Sequence, residues 1–166
     1  MDIAYFSGIR QILLDKLDAA QFDIKVAVAW FTNSQLFEKL CQKRRQGVNV
    51  TVIIIDDFIN NGDWGLNFQE FINLGGNLYY GNVDNPMHHK FCIIDNQILV
   101  NGSYNWTYYA ENRNMENIVL FQNQPILIQQ FKSEFENLCQ KLNKSAFAIK
   151  RNGIIGFMSQ LILRAY

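Results

Sequence analysis

The apolar residues Ile9, Leu13 and Leu17 recur at steps of four, which predicts a first helix over residues 7–20. A strand is expected over residues 23–31. Asn33 or Ser34 then stands where a helix cap belongs, and the helical pattern runs on to Gly47, its last turn made basic by Lys43, Arg44 and Arg45. Residues 50–55, Val-Thr-Val-Ile-Ile-Ile, are β-branched throughout and read as a central strand buried on both faces, closed by Asp56 and Asp57. A short helix over residues 67–74 is stopped by Gly75 and Gly76, and a strand follows over residues 77–80. Residues 91–94 and 97–100 read as a hairpin turning at Asp95 and Asn96, and residues 117–121 as a further strand. After Pro125, the positions Ile128, Phe131, Phe135, Leu138 and Leu142 step by three and four along a long amphipathic helix. This alternation predicts an α/β fold, a mixed β-sheet flanked by helices.

Composition narrows the picture. A chain of 166 residues, 49% hydrophobic and with 13 Phe, carries enough apolar material for one folded core. Lys plus Arg and Asp plus Glu each total 15, so no net field draws a polyanion to the molecule. Nucleic-acid binding would have to rest on local clusters: Lys39, Lys43, Arg44 and Arg45, or Lys141, Lys144, Lys150 and Arg151. Cys41, Cys92 and Cys139 are odd in number and widely spaced, which is neither a disulfide framework nor a zinc site. The first residues show no basic flank followed by an apolar run, and no stretch is long enough to span a bilayer. A reduced, cytoplasmic setting is expected.

The chemistry concentrates in one stretch, His88-His89-Lys90-Phe91-Cys92-Ile93-Ile94-Asp95, followed by Gly102-Ser103-Tyr104-Asn105. Residues two apart on a strand share a face, so His88 and Lys90 point one way and His89 the other, where it is assigned to structure. The same rule puts Ser103 and Asn105 together, while Gly102 is expected to open space for a phosphate. An imidazole, an ammonium, a hydroxyl and an amide thus converge. A phosphodiester repels nucleophiles, and these groups meet that problem: Lys90, Ser103 and Asn105 as phosphate-binding donors, His88 as a nucleophile able to hold a phosphoryl group. Asp56 and Asp57 show no third metal ligand, and no cofactor is expected. Trp30, Trp64 and Trp106 offer rings for base stacking, although only Trp106 lies beside the motif and large aromatics ordinarily serve the core.

The pattern His-x-Lys-x4-Asp-x6-Gly-Ser-x-Asn resembles the signature of the phospholipase D superfamily, and most of all its small nucleases that carry a single motif. The resemblance spans residues 1–143 in element order and is specific over residues 87–117. It implies the phospholipase D fold with one motif per chain, and hydrolysis through a phosphohistidine without a metal ion. It also implies a catalytic set of His88, Lys90, Ser103, Asn105, Glu116 and Asp95. Glu116 resembles the acidic residue that orients the catalytic imidazole in these nucleases; Asp95, the motif aspartate, falls at a turn and is expected to hold loops. Completing the chemistry takes a second motif histidine, so a homodimer sharing one site between two chains is expected. DNA or RNA is the expected substrate. The alternatives are a phospholipase or phosphatidyl transferase acting on phospholipid, which would use the same site chemistry, and a module of the same fold that only binds nucleic acid or dimerises. Residues 1–145 form the expected catalytic domain and residues 146–166 an extension of unknown role. In that extension Ile154, Phe157, Met158, Leu161 and Ile162 make an apolar face if helical, with Lys150, Arg151 and Arg164 around it, suited to the protein's own body, a dimer mate or a membrane surface.

Overall fold

The predicted central strand lies at the heart of a single eight-stranded sheet in a computed structural model that describes residues 2–149. In chain order the elements are β1 (Ile3–Tyr5), α1 (Ile9–Asp18), β2 (Asp23–Val28), α2 (Ser34–Arg45), β3 (Asn49–Ile55), α3 (Phe58–Asn61), α4 (Phe68–Asn73), β4 (Asn77–Gly81), β5 (Lys90–Ile94), β6 (Ile98–Gly102), α5 (Tyr108–Asn112), β7 (Ile118–Gln122), α6 (Pro125–Lys141) and β8 (Asn143–Ser145). The strands are ordered β1-β7-β6-β5-β2-β3-β4-β8. β2, β3 and β4 run parallel, β5 and β8 oppose their neighbours, and β6, β7 and β1 continue antiparallel. This is the mixed sheet that the alternation predicted.

Both faces of the sheet are covered, which explains why β3 is apolar on every residue from Val52 onward. Val50, Val52 and Ile54 pack with Leu13, Leu17, Leu36 and Leu40 beneath α1 and α2, while Ile53 joins Ala27, Phe91, Ile93, Leu99, Ile128 and Phe135 beneath α6. β5 alternates in the same way: Phe91 and Ile93 face α6, Cys92 and Ile94 the other helices.

α1 buries Ile9, Leu13 and Leu17, the three residues whose spacing predicted it. Asn33, not Ser34, caps α2, its side chain accepting from the backbone N–H groups of Gln35 and Leu36 at 3.1 Å each. Asp95 and Asn96 take the left-handed conformation at φ 51° and 53°, the signature of a type I′ hairpin turn between β5 and β6.

The differences have local causes. The strand expected over residues 23–31 ends at Val28, because the chain beyond it is bound elsewhere: Trp30 O accepts from Trp106 N at 3.1 Å, and Phe31 N donates to Asn60 Oδ1 at 2.8 Å. β1, α3, α5 and β8 were not predicted. Each spans three to five residues, too few to show a period. β8 begins one residue after Leu142, which leaves the helix in an extended conformation. Past residue 145 the chain is still tied to the body, with Ala148 N donating to Gln69 Oε1 at 3.0 Å and Ile149 N to Tyr80 Oη at 3.2 Å. Lys150, Arg151, Ile154, Phe157, Met158, Leu161, Ile162 and Arg164 lie outside the described residues.

Candidate functional site

His88, Lys90, Ser103 and Asn105 lie at one end of the sheet, where β2, β3, β4 and β6 finish and β5 and β7 begin. Two pairings bring the segments together: Val28 lies opposite Lys90 across β2 and β5, and Gly102 lies opposite Ile118 across β6 and β7. His88 and Lys90 do share a face. The Lys90 Nζ stands 3.0 Å from His88 Nδ1 and donates to the His88 carbonyl at 2.8 Å. His89 turns to the opposite face, its Nε2 3.7 Å from Glu134 on α6 and its ring 5.8 Å from that of Phe91.

A charged Lys90 donates to Nδ1, so the neutral His88 ring carries its proton on Nε2. Partial burial and the neighbouring charges of Lys90 and His89 hold the His88 imidazolium below its ordinary pKa. Burial also pushes the Lys90 ammonium down to about 8, against the opposing attraction of Glu116. The site therefore holds an uncharged imidazole beside a cation near the edge of its charged range.

Ser103 and Asn105 face the same side, while Tyr104 and Trp106 between and after them are 2% exposed. Ser103 Oγ donates to Glu116 and accepts from the Asn117 N–H at 3.1 Å, and Asn105 Oδ1 accepts from the Trp30 N–H at 3.3 Å. Two expectations, for Glu116 and Gly102, need correcting here. The Glu116 carboxylate takes Ser103 and, at 2.9 Å, Asn114 Nδ2, not the His88 ring; the β6–β7 register sets it beside Ser103, and its charge reaches the pair through Lys90. Asp95 does not join the others. It lies at the far end of β5, where it accepts from the backbone N–H groups of Gln21, Phe22 and Asp23 at 2.8 Å each, which is the loop-holding part expected of it. Gly102 opens no space for a phosphate, since a Cβ there would sit 2.1 Å from the Asn117 carbonyl oxygen; glycine lets β6 and β7 approach.

Trp30, which the sequence offered only as a ring for base stacking away from the motif, lies against it. Its ring meets that of His88 edge to face at 5.6 Å, its Nε1 donates to Asp57 at 2.7 Å, and its backbone N–H holds Asn105. One residue thus links the imidazole, the amide and a buried carboxylate 5% exposed. The only signal was position, immediately beyond a strand whose partner begins at Lys90. Trp106 belongs to the core and Trp64 is 76% exposed.

The first basic cluster is spent on the fold. Lys39 pairs with Asp18 at 2.7 Å, Lys43 donates to the Asp18 carbonyl, Arg44 to the carbonyls of Leu74 and Val48, and Arg45 bridges Glu38 and Glu70.

Comparison with known proteins agrees with this fold. Residues 13–139 match the family described as "Cardiolipin synthase, PLD-like domain". The chain is similar to a mitochondrial cardiolipin hydrolase of Chlamydomonas reinhardtii, 32% identical over 125 residues that cover 75% of this chain and 55% of that protein. It thus spans about half the length of the curated relatives it matches. Among solved structures, Nuc of Salmonella typhimurium, a phospholipase D family member, superposes with a TM-score of 0.79 at 25% identity, covering 87% of this chain and 97% of that one. NucT from Helicobacter pylori shares the fold at a TM-score of 0.73 and 20% identity, over 87% and 99% of the two chains. With a family match over most of its length and a sheet that superposes on a phospholipase D family member, the chain belongs to the phospholipase D-like superfamily.

Proposed function

We propose that the protein is a metal-independent phosphodiesterase, a nuclease acting on DNA or RNA, whose active site is completed by a second copy of the chain. The observation that carries this is the division of its two histidines: His88 stands against Lys90 at 3.0 Å while His89 points toward α6, so one chain offers one imidazole to the site. Displacement at phosphorus through a histidine takes two, a nucleophile and an acid.

In this reading a non-bridging phosphate oxygen draws the Lys90 ammonium away from Nδ1. Solvent water takes the proton from Nε2 and returns one to the freed Nδ1, which leaves Nε2 bare. The Nε2–P bond forms as the P–O bond to the leaving group breaks, and the leaving oxygen takes a proton from the partner subunit's His88. Water, deprotonated by that same imidazole, then breaks the N–P bond. Lys90 and Asn105 stabilise the charge on the phosphoryl oxygens, and Ser103 joins them by turning its hydroxyl from Glu116. A reducing, cytoplasmic setting fits the three free thiols.

A second reading, hydrolysis of a phospholipid, is favoured by the mitochondrial cardiolipin hydrolases among its relatives and by Tyr108, Tyr109 and Met115, which are more than half exposed on and beside α5. Incubation with labelled DNA, RNA and cardiolipin vesicles in excess chelator separates the two, and loss of all activity in chelator would refute both. The shared site is tested by refolding equal amounts of wild type and His88→Ala together. Random pairing leaves about a quarter of dimers intact, so activity per chain should fall to about a quarter. A value near one half would mean that each chain works alone.

A further inference from the structure

The two described lysines of the second basic cluster have a different fate from the first cluster. Lys141, the last residue of α6, and Lys144, on β8, are exposed and line a cleft of about 490 Å³ together with Asp56, Tyr80, Gly81 and Asn82. Among the described residues neither lysine makes an ion pair, whereas Lys39 and Arg45 do. The cleft adjoins the motif. A Cβ built on Gly81, in its wall, would lie 3.2 Å from the Cβ of Met87, the residue before His88. Gly81 ends β4, and Asp56 follows Ile55, the last residue of β3, at the same end of the sheet as the site.

We propose that this cleft is a subsite for the neighbouring phosphate of a nucleic-acid strand whose scissile phosphate lies at His88. The inference rests on the phosphodiesterase reading and names how such a substrate is held. The volume falls within the roughly 300–1,000 Å³ of small-ligand sites, room for one nucleotide. The charges set its direction. Asp56 opposes an anion at the inner wall, so the phosphate seats at the lysine rim, and the sugar and base span the inner part. A chain without net charge gathers a polyanion only where lysines are left unneutralised, and this rim is such a place beside the motif.

The test compares the full chain with a Lys141→Gln/Lys144→Gln double variant. A Lys39→Gln/Arg45→Gln variant, which removes the same charge from α2, serves as control. Substrates are a single-stranded DNA oligonucleotide and bis-p-nitrophenyl phosphate, which has one phosphate and cannot reach the cleft. The cleft variant should lose about fivefold in kcat/KM on the oligonucleotide, mostly in KM. The slope of its log KM against log salt should become shallower by about 0.7 for each phosphate that the lysines no longer neutralise. Both other enzymes should keep the wild-type slope, and all three should turn over the small diester within twofold. An unchanged oligonucleotide slope, or equal losses on both substrates, would overturn the proposal. So would slower hydrolysis of cardiolipin vesicles alone, which would assign the cleft to the second phosphate of a lipid. If the wild-type chain cleaves the small diester but no oligonucleotide, it is the nuclease reading that fails.

Discussion

The two ends of β5 belong to one sequence motif and are built to opposite ends. At the Asp95 end the carboxylate is saturated by three backbone N–H groups, and the bonds fasten the entry of β2 to the hairpin. At the Lys90 end, four residues of strand away from Ile94, an ammonium is partly stripped of water and set against an imidazole, so that burial lowers both pKa values. One end spends its polar groups on the fold, and in the proposed function the other keeps them for a ligand. A motif is therefore a statement about a strand's two ends, not a list of catalytic residues.

The largest expected effect breaks the chemical end. His88→Ala should reduce turnover by more than ~10³-fold with the fold intact, because no other imidazole faces that side. His89→Ala should leave turnover within about twofold and cost less than ~1 kcal/mol, since its contact with Glu134 is exposed. Equal losses in both folded variants would show that the two faces are wrongly assigned.

At the structural end, Asp95→Ala should cost about 2 kcal/mol in urea denaturation while folded molecules keep their turnover, because water can replace only part of the three bonds. The pH dependence follows from the bonds to its carboxylate. Burial raises the Asp95 pKa, but the N–H groups of Asp23, Gln21 and Phe22 outweigh it and hold it below its ordinary value. A lowered folded-state pKa gives stability that is present above the unfolded value near ~3.9 and lost as pH falls through the folded one. The gap between wild type and Asp95→Asn should therefore close below about pH 4; a gap that persisted there would rule out the carboxylate as its source.

Lys90 sharpens the contrast. Competitive inhibition by sulfate, which does not titrate near neutrality, should weaken as pH rises through about 8 and the ammonium is lost, tending to tenfold per pH unit above it. Lys90→Arg should abolish that dependence, and sulfate binding that stayed constant in the wild type would remove Lys90 from the anion site. The smallest effect belongs to Trp30→Phe, which keeps a ring against His88 but loses the bond to Asp57. A fall in kcat of about fivefold with KM little changed is expected from a loosened imidazole. An unchanged kcat would show that the Asp57 bond does not hold the ring.

Much of this protein was legible in its sequence, because the informative patterns are local. The steps of four in α1, the unbroken β-branched run of β3 and the turn residues Asp95 and Asn96 all report on backbone a few residues away. The alternation of a strand likewise separated His88 from His89. Tertiary structure alone decided what depends on distant chain. β1 and β8 are strands only because β7 and β4 are there to pair with them. Glu116 went to Ser103, and Gly102 served strand packing, because the register of β6 against β7 was settled by the sheet as a whole. Trp30 reached His88 because Val28 pairs with Lys90 across 62 residues of chain. Two basic clusters that look alike in sequence parted for the same reason: one met carboxylates and carbonyls as α2 packed, while Lys141 and Lys144 of the other came to the rim of a cleft. Periodicity fixes which way a side chain points, but what it meets there is chosen by long-range pairing, which no short window of residues encodes.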